Sequence, residues 1–270
     1  MSNPTTATGA EHDWREAGEA WGRGAVDWSC FYEHLSLDAF LAVFPRTGIG
    51  PGTDLLDVAC GSGLAARLAH GCGARVSGID ASEALLEIAR ARTPEADLRL
   101  GSMFDLPWPD ASFDVVVSFN GIWGHCADAL VEMRRVVRPG GMVGITFWGL
   151  GPPLDFRPVI KAIVEHTPPT NVDGMRATNA IAPPGVAEEM LEAAGFSVVE
   201  RGERVAVIEW PDDDVAWRAI SSIGPIVPAL ENSNADAVRR DVLAALAPAR
   251  DARGVYRYRN DHQFVIAQAS

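Results

Sequence analysis

The sequence predicts an α/β fold, a mostly parallel sheet with helices on both faces. Three observations predict it. Strand-length apolar stretches alternate with helical patterns, without a gap, from Leu55 to Trp148, the rhythm that builds a parallel sheet. Leu55–Ala66, reading LLDVACGSGLAA, passes from strand to glycine turn to helix in direct succession. Phe113–Phe119 is a nearly unbroken apolar run, as expected of a central strand covered on both sides.

Taken in order, residues 1–10 are small and polar and are expected to be disordered. Trp14, Trp21 and Trp28 then recur every seven residues, followed by Phe31, Tyr32 and Leu35. Seven residues is about two helical turns, so these rings share one stripe on one or two helices. Gly22 and Gly24 are placed to break the stretch. The stripe reads either as a helix docked on the core or as a lid over a ligand site. Leu37–Phe44 continues as helix, and residues 45–52 form the loop into the first strand. Ala74–Ile79 is the second strand. Ser82–Arg92 is a helix with Ser82 as its N-cap, Ala96–Leu100 the third strand and Phe113–Phe119 the fourth. Ala127–Val137 is a helix stopped by Pro139-Gly140-Gly141, and Met142–Trp148 is the fifth strand. Beyond it come a Gly/Pro linker, a helix over Phe156–His166, a long loop over Thr167–Pro184, and a helix over Val186–Ala194 closed by Gly195. Phe196–Trp210 is strand material with Gly202 and Glu203 in its middle. Helices open after Pro211 and Asn234, and Gly254–Ala269 contains the last strand.

The glycine turn carries the chemistry. Gly61 and Gly63 let backbone pass where a side chain would block a ligand, and the N–H groups opening the next helix are left to face it. Gly61-x-Gly63-x-x-Ala66 also fits the dinucleotide fingerprint, which leaves an NAD(P)-dependent oxidoreductase open. Asp57 separates the two. A carboxylate at the end of the first strand repels a pyrophosphate and attracts a ligand carrying an ammonium and a sulfonium, which describes S-adenosylmethionine. Asp80 ends the second strand 17 residues after Gly63, where an acidic residue takes ribose hydroxyls in such units.

Four motifs, LLDVACGSG, VSGIDAS, LPWPDASFDVVVSFN and EMRRVVRPGGMVGITF, follow in that order over roughly residues 53–148. With them the chain resembles the class I S-adenosylmethionine-dependent methyltransferases, in the small-molecule group similar to ubiquinone/menaquinone methyltransferases. The resemblance implies a Rossmann-like seven-stranded sheet whose last strand is antiparallel and inserted between the fifth and sixth. It implies a helical lid over residues 1–45 and a methyltransferase domain over 46–270, with substrate-covering insertions at about 150–185 and 211–250. It also implies a donor site: backbone at Ala59 and Cys60, Gly61 and Gly63, Asp57 beneath, Asp80 on the ribose, Met103 on the adenine, and Phe119 and Asn120 on the methionine side. Ser102 stands where the family often carries an acidic residue for the adenine amino group. Each of these positions also has a plain reading as turn chemistry or core packing.

Ligands in open α/β sheets bind beyond the carboxyl ends of the strands. That rule selects Trp123, His125, Trp148 and residues 152–180 for a methyl acceptor. Trp28, Phe31 and Tyr32 reach the same region from the N-terminal side, Trp28 being counted with the donor contacts. Aromatic walls suit a flat or apolar small molecule, here a bacterial secondary metabolite or a quinone-like compound. Of six histidines only His125 falls in a loop expected to face the reacting centre, as general base or as an orienting group. His12, His34, His70, His166 and His262 are assigned to helices, tails or surface loops.

Composition narrows the class. Net charge is −13 at pH 7 and the pI about 4.8, which argues against a nucleic-acid substrate. Lys161 is the single lysine against 22 arginines, the mark of a GC-rich bacterial genome. Cys30, Cys60, Cys72 and Cys126 form no CxxC pair, so free cytoplasmic thiols and no metal are expected. The first residues lack an apolar core, so no signal peptide is expected, and no apolar run is long enough to span a membrane. A non-catalytic S-adenosylmethionine-binding protein remains a third reading. Oligomeric state is not legible in the composition.

Overall fold

The computed structural model describes residues 14–149, 156–178 and 180–270; the N-terminal tail and the Gly/Pro linker lie outside the described residues. Seven strands form one sheet: β1 (Asp54–Val58), β2 (Arg75–Asp80), β3 (Asp97–Leu100), β4 (Phe113–Phe119), β5 (Val137–Trp148), β6 (Phe196–Trp210) and β7 (Tyr256–Ala269). Their order is β3-β2-β1-β4-β5-β7-β6. Strands β1 to β5 pair in parallel, and β7 runs antiparallel between β5 and β6. The expected Rossmann-like arrangement is therefore present, with the last strand where the resemblance puts it. The order reverses at β1, flanked by β2 and β4. That switch point opens a crevice at the carboxyl ends of the strands.

Helices α1 (Trp14–Gly22), α2 (Ala25–Phe31) and α3 (Leu37–Thr47) precede the sheet. Helices α4 (Leu64–Gly71), α5 (Glu83–Arg92) and α6 (Ala127–Val136) make the crossovers. After β5 come α7 (Arg157–His166), α8 (Pro169–Thr178), α9 (Val186–Ala193), α10 (Asp213–Ser221), α11 (Val227–Asn232) and α12 (Ala235–Leu246). Two caps behave as their residue types demand. Ser82 Oγ accepts from the Leu85 N–H at 3.4 Å, and Asp212 from the Val215 N–H at 2.8 Å. One core cluster joins β1, β4 and β5 to α6 and α9, and a second joins α7, α10 and α12 to the far halves of β6 and β7. No helix among the described residues is long and apolar enough to cross a membrane.

Two expectations are corrected, and one helix is new. Thr167–Pro184 is not a bare loop, since it contains α8. The fifth strand begins at Val137 and runs through the Pro-Gly-Gly, because Val137 already pairs with Phe113 before an irregularity in the ladder. The α11 helix was not legible, since it is six residues long, follows Pro225 closely and carries Pro228 in its first turn.

Candidate active site

The turn after β1 is set by three left-handed residues. Ala59 has φ 58°, Gly61 φ 54° and Gly63 φ 78°. An alanine in that region is unusual and costs roughly 1–2 kcal/mol. The neighbouring turn holds it there: the Cys60 N–H donates to the Ile79 carbonyl, and Gly63 N–H to Cys60 O, both at 3.0 Å. The two glycines have different reasons. A Cβ on Gly61 would have only the Trp28 indole nitrogen near it, at 4.0 Å, whereas one on Gly63 would meet Ala89 of α5 at 2.7 Å. Gly61 thus faces open space, and Gly63 lets α4 start against α5.

Asp80 anchors this turn to β2. Its two oxygens accept from the Gly61 N–H at 2.7 Å and the Ser82 N–H at 2.9 Å. Burial pushes its carboxyl up, and those N–H groups oppose the shift. Each oxygen keeps a further lone pair for a hydroxyl donor. Asp57 lies deeper, 1% exposed, with both oxygens lacking a hydrogen-bond partner. Burial and the charge of Asp80 push its carboxyl well above the ordinary range. A buried carboxyl without partners is an acceptor for a cationic or N–H-bearing group, so these residues fit a donor with an ammonium and a sulfonium.

A cavity of about 930 Å³ opens over this turn. Of the residues expected at the donor or acceptor, Ala59, Gly61, Asp80, Met103, Phe119, Asn120, Trp28, Trp123 and His125 line it. Asp57, Gly63 and Ser102 do not. Asp57 sits beneath the floor, Gly63 packs on α5, and Ser102 Oγ accepts from the Phe104 N–H at 3.1 Å in a local turn. Trp148 is also outside. It stacks on His262 with ring centroids 4.4 Å apart, so its role is packing. Tyr32 is buried and stacks on Trp28 at 4.9 Å, and the Phe31 carbonyl accepts from Trp210 Nε1 at 3.2 Å. From residues 152–180, Pro168 and Asn171 reach the cavity; 150–155 and 179 lie outside the described residues.

The tryptophan stripe closes the top. Trp14, Trp21 and Trp28 all line the cavity. Trp21 meets Trp28 edge-on at 5.0 Å and lies 6.5 Å from Trp123. The helices are seated closely: a Cβ on Gly18 would fall 1.9 Å from the Ala81 carbonyl oxygen, and one on Gly24 2.5 Å from Ser222 Cα. Gly224, against which Trp21 packs, and Val227 also line the cavity. His125 is exposed at the rim and meets Trp123 edge-on at 5.8 Å.

Two networks escaped the sequence reading. Glu33, buried in a short turn after α2, accepts from Ser62 Oγ in the glycine turn and pairs with Arg92. Arg92 also donates to the Ser62 carbonyl at 2.9 Å and the Ser29 carbonyl at 3.2 Å. This clasp ties the N-terminal helices to the donor turn. The second network centres on Asn120, which ends β4 with φ 63°. Its Nδ2 donates to Ser36 Oγ at 2.9 Å, its carbonyl accepts from Trp123 Nε1 at 3.1 Å, and its Oδ1 lies 2.7 Å from His262 Nε2. An acceptor oxygen there means that Nε2 carries the proton. His262, assigned above to the surface, is 1% exposed in β7, and burial pushes its imidazole down to about 3. The signal was available in part: His262 alternates with Asn260 and Phe264, the inward positions of β7.

Residues 56–145 match a family model described as a methyltransferase domain. That stretch, a third of the chain, is thus similar to a methyltransferase domain, and it holds β2 to β4 and most of β1 and β5 of the sheet. The curated protein named "Probable S-adenosylmethionine-dependent methyltransferase" from Mycolicibacterium smegmatis is 37% identical over 150 residues, 54% of this chain and 53% of that protein. The demethylmenaquinone methyltransferase of Staphylococcus aureus is 41% identical over 110 residues, 37% of this chain and 45% of that one. The chain spans about half the length of these curated relatives. Among solved structures, the [4+2]-cyclase SpnF superposes with a TM-score of 0.57 at 19% identity, covering 95% of this chain and 93% of that one. A neighbour titled a cyclase shows that the methyltransferase fold alone does not fix the reaction.

Proposed function

We propose that this protein is an S-adenosylmethionine-dependent methyltransferase acting on a flat, largely apolar small molecule. The observation that carries the reading is the pairing of a buried, unpartnered Asp57 with the Gly61–Asp80 turn under an aromatic-walled cavity. A pyrophosphate-binding site would gain nothing from that carboxyl. The donor, when bound, supplies an electrophilic sulfonium methyl. The chain's own residues then have to bind, align and dry the site, and such positioning supplies as much as about 7–11 kcal/mol of barrier reduction in favourable intramolecular cases. Asp80 accepts from the ribose hydroxyls, Asp57 balances the positive end, and Met103 and Phe104 pack against the base. Trp21, Trp28 and Trp123 exclude water around the acceptor. His125 at the rim takes the acceptor's proton where the acceptor is a hydroxyl. In this reading the helices within residues 14–45 form the lid, the earlier part of the expected 1–45 segment lying outside the described residues, and the pairing of Glu33 with Arg92 supports it.

The test is calorimetric titration with S-adenosylmethionine, S-adenosylhomocysteine, NAD and NADP, followed by an S-adenosylhomocysteine release assay over phenols, quinols, amines and indoles. Binding of the first pair alone, and turnover with a flat acceptor, is the expected result. Tight NAD binding overturns the reading. With the acceptor found, His125→Ala should lower kcat by about 10²–10⁴-fold at unchanged donor affinity. A variant within a few-fold of the parent removes His125 from the mechanism.

A further inference from the structure

Strand β6 is the edge of the sheet, paired through β7 on one side and with no strand on the other among the described residues. It is 15 residues long. An edge of that length exposes a row of N–H and C=O groups, and proteins usually shorten, charge or cover such an edge. Proline, one common guard, does not occur between Phe196 and Trp210. Val199, Val205 and Val207 are instead among the large apolar side chains left exposed, at 60%, 52% and 49%.

The charges along this strand have a particular order. Residues 199–205 read Val-Glu-Arg-Gly-Glu-Arg-Val. Laid antiparallel against a copy of itself with Gly202 on the two-fold axis, the strand sets Glu200 opposite Arg204 and Arg201 opposite Glu203; the ladder is irregular between Val198 and Glu200, so the match is confined to residues 200–204. Both copies make the same contacts, as a two-fold interface requires. Cross-strand pairs of opposite charge stabilise antiparallel ladders. A slip of the axis by one residue removes the match, so the sequence also specifies the register.

Arg201 already pairs with Glu188 at 2.8 Å and donates to the Ala182 carbonyl at 2.8 Å, so Glu200 and Arg204 carry the match between copies. Glu203 is exposed, and the Arg204 guanidinium donates to the Glu203 carbonyl at 2.7 Å. Arg204 also lies over the Phe264 ring at 5.6 Å, with Arg46 over the same ring at 5.1 Å. Of these two guanidiniums, Arg46 pairs with Glu200 at 2.9 Å. A second copy's Glu200 would bring a carboxylate to Arg204.

We infer that the free edge of β6 is a self-complementary surface whose partner is a second copy of this chain, joined antiparallel about Gly202 into one continuous sheet across the dimer. The surface lies at the opposite end of the sheet order from β2 and β3, so it does not depend on the reaction assigned to the cavity.

Sedimentation equilibrium of the full chain, whose monomer is 28.9 kDa, is the test. The parent is expected to sediment as a dimer at micromolar concentration. Arg204→Glu sets two carboxylates against each other across the axis, and Glu200→Arg sets two guanidiniums against each other, so each variant alone is expected to be monomeric. An equimolar mixture of the two restores both oppositely charged pairs and should sediment as a heterodimer, which damage to the fold cannot mimic. A monomeric parent, or variants that dimerise as well as the parent, overturns the inference. Variants that stay monomeric when mixed overturn the register about Gly202.

Discussion

Replacing Gly48, Gly61 and Gly63 singly by alanine separates three things a glycine can be for. All three are left-handed, with φ of 75°, 54° and 78°, so each alanine carries a backbone cost of about 1–2 kcal/mol. Gly48 ends α3, and an added Cβ there meets nothing within 4 Å. Gly48→Ala should show the backbone cost alone and leave donor binding untouched. An added Cβ on Gly63 would lie 2.7 Å from Ala89 Cβ and 2.9 Å from its Cα. That obstacle is helix backbone, which cannot rotate away, and overpacking of this kind adds about 1–3 kcal/mol. Gly63→Ala should therefore lose about 2–5 kcal/mol, a large share of the roughly 5–15 kcal/mol that holds a domain folded. Gly61→Ala should unfold like Gly48→Ala, since its Cβ has only Trp28 Nε1 at 4.0 Å. That Cβ enters the cavity, however, so affinity for S-adenosylhomocysteine should fall about tenfold or more, ~1.4 kcal/mol. Urea unfolding and calorimetric titration read the two quantities independently. Equal stability of Gly63→Ala and Gly48→Ala, or parental affinity in Gly61→Ala, would refute the assignment of one glycine to packing and the other to the ligand.

Three further outcomes are expected. Asp57 has its folded-state carboxyl raised by burial and by Asp80, so its contribution to stability is complete in acid and is lost as pH rises through the raised value. Asp57→Asn should thus gain thermal stability over the parent increasingly from pH 4 to pH 8, while losing affinity for S-adenosylmethionine more than for the uncharged thioether S-adenosylhomocysteine; a flat difference in melting temperature with pH contradicts this. His262 is the opposite case, a base pushed down to about 3 in the fold. The unfolded chain takes up a proton that the native state refuses, so stability falls from about pH 6.5 downward, by on the order of 3 kcal/mol at pH 4. The same slope in His262→Gln would show that another group is responsible. Trp21→Ala removes the indole that closes on Gly224, where an added Cβ would lie 2.8 Å from Trp21 Nε1; turnover should fall with the sheet still folded, and unchanged steady-state kinetics would return the tryptophan stripe to plain packing.

The sequence by itself determined the α/β fold, because strand and helix periods are local and the glycine turn follows its strand within a few residues. It also brought Ala59, Gly61, Asp80, Met103, Phe119 and Asn120 to one site, since each sits at or just beyond the carboxyl end of a strand. With sheet order known, those positions must converge. What only the tertiary structure decided were contacts between residues far apart in the chain. Gly63 and Gly61 are equivalent in the motif, and only the approach of Ala89 distinguishes them. Trp148 and Trp21 are both tryptophans in plausible places. The first is taken up by His262, 114 positions later, and the second reaches the cavity because glycines at 18 and 24 let α1 and α2 seat against the Ala81 carbonyl and Ser222. Glu33 carried no local mark of its role, and His262 only its place among the inward positions of β7. A side chain acquires a low dielectric, and hence a shifted proton affinity, from everything packed around it, and that surrounding is assembled from β4, β5, β7 and the N-terminal helices together.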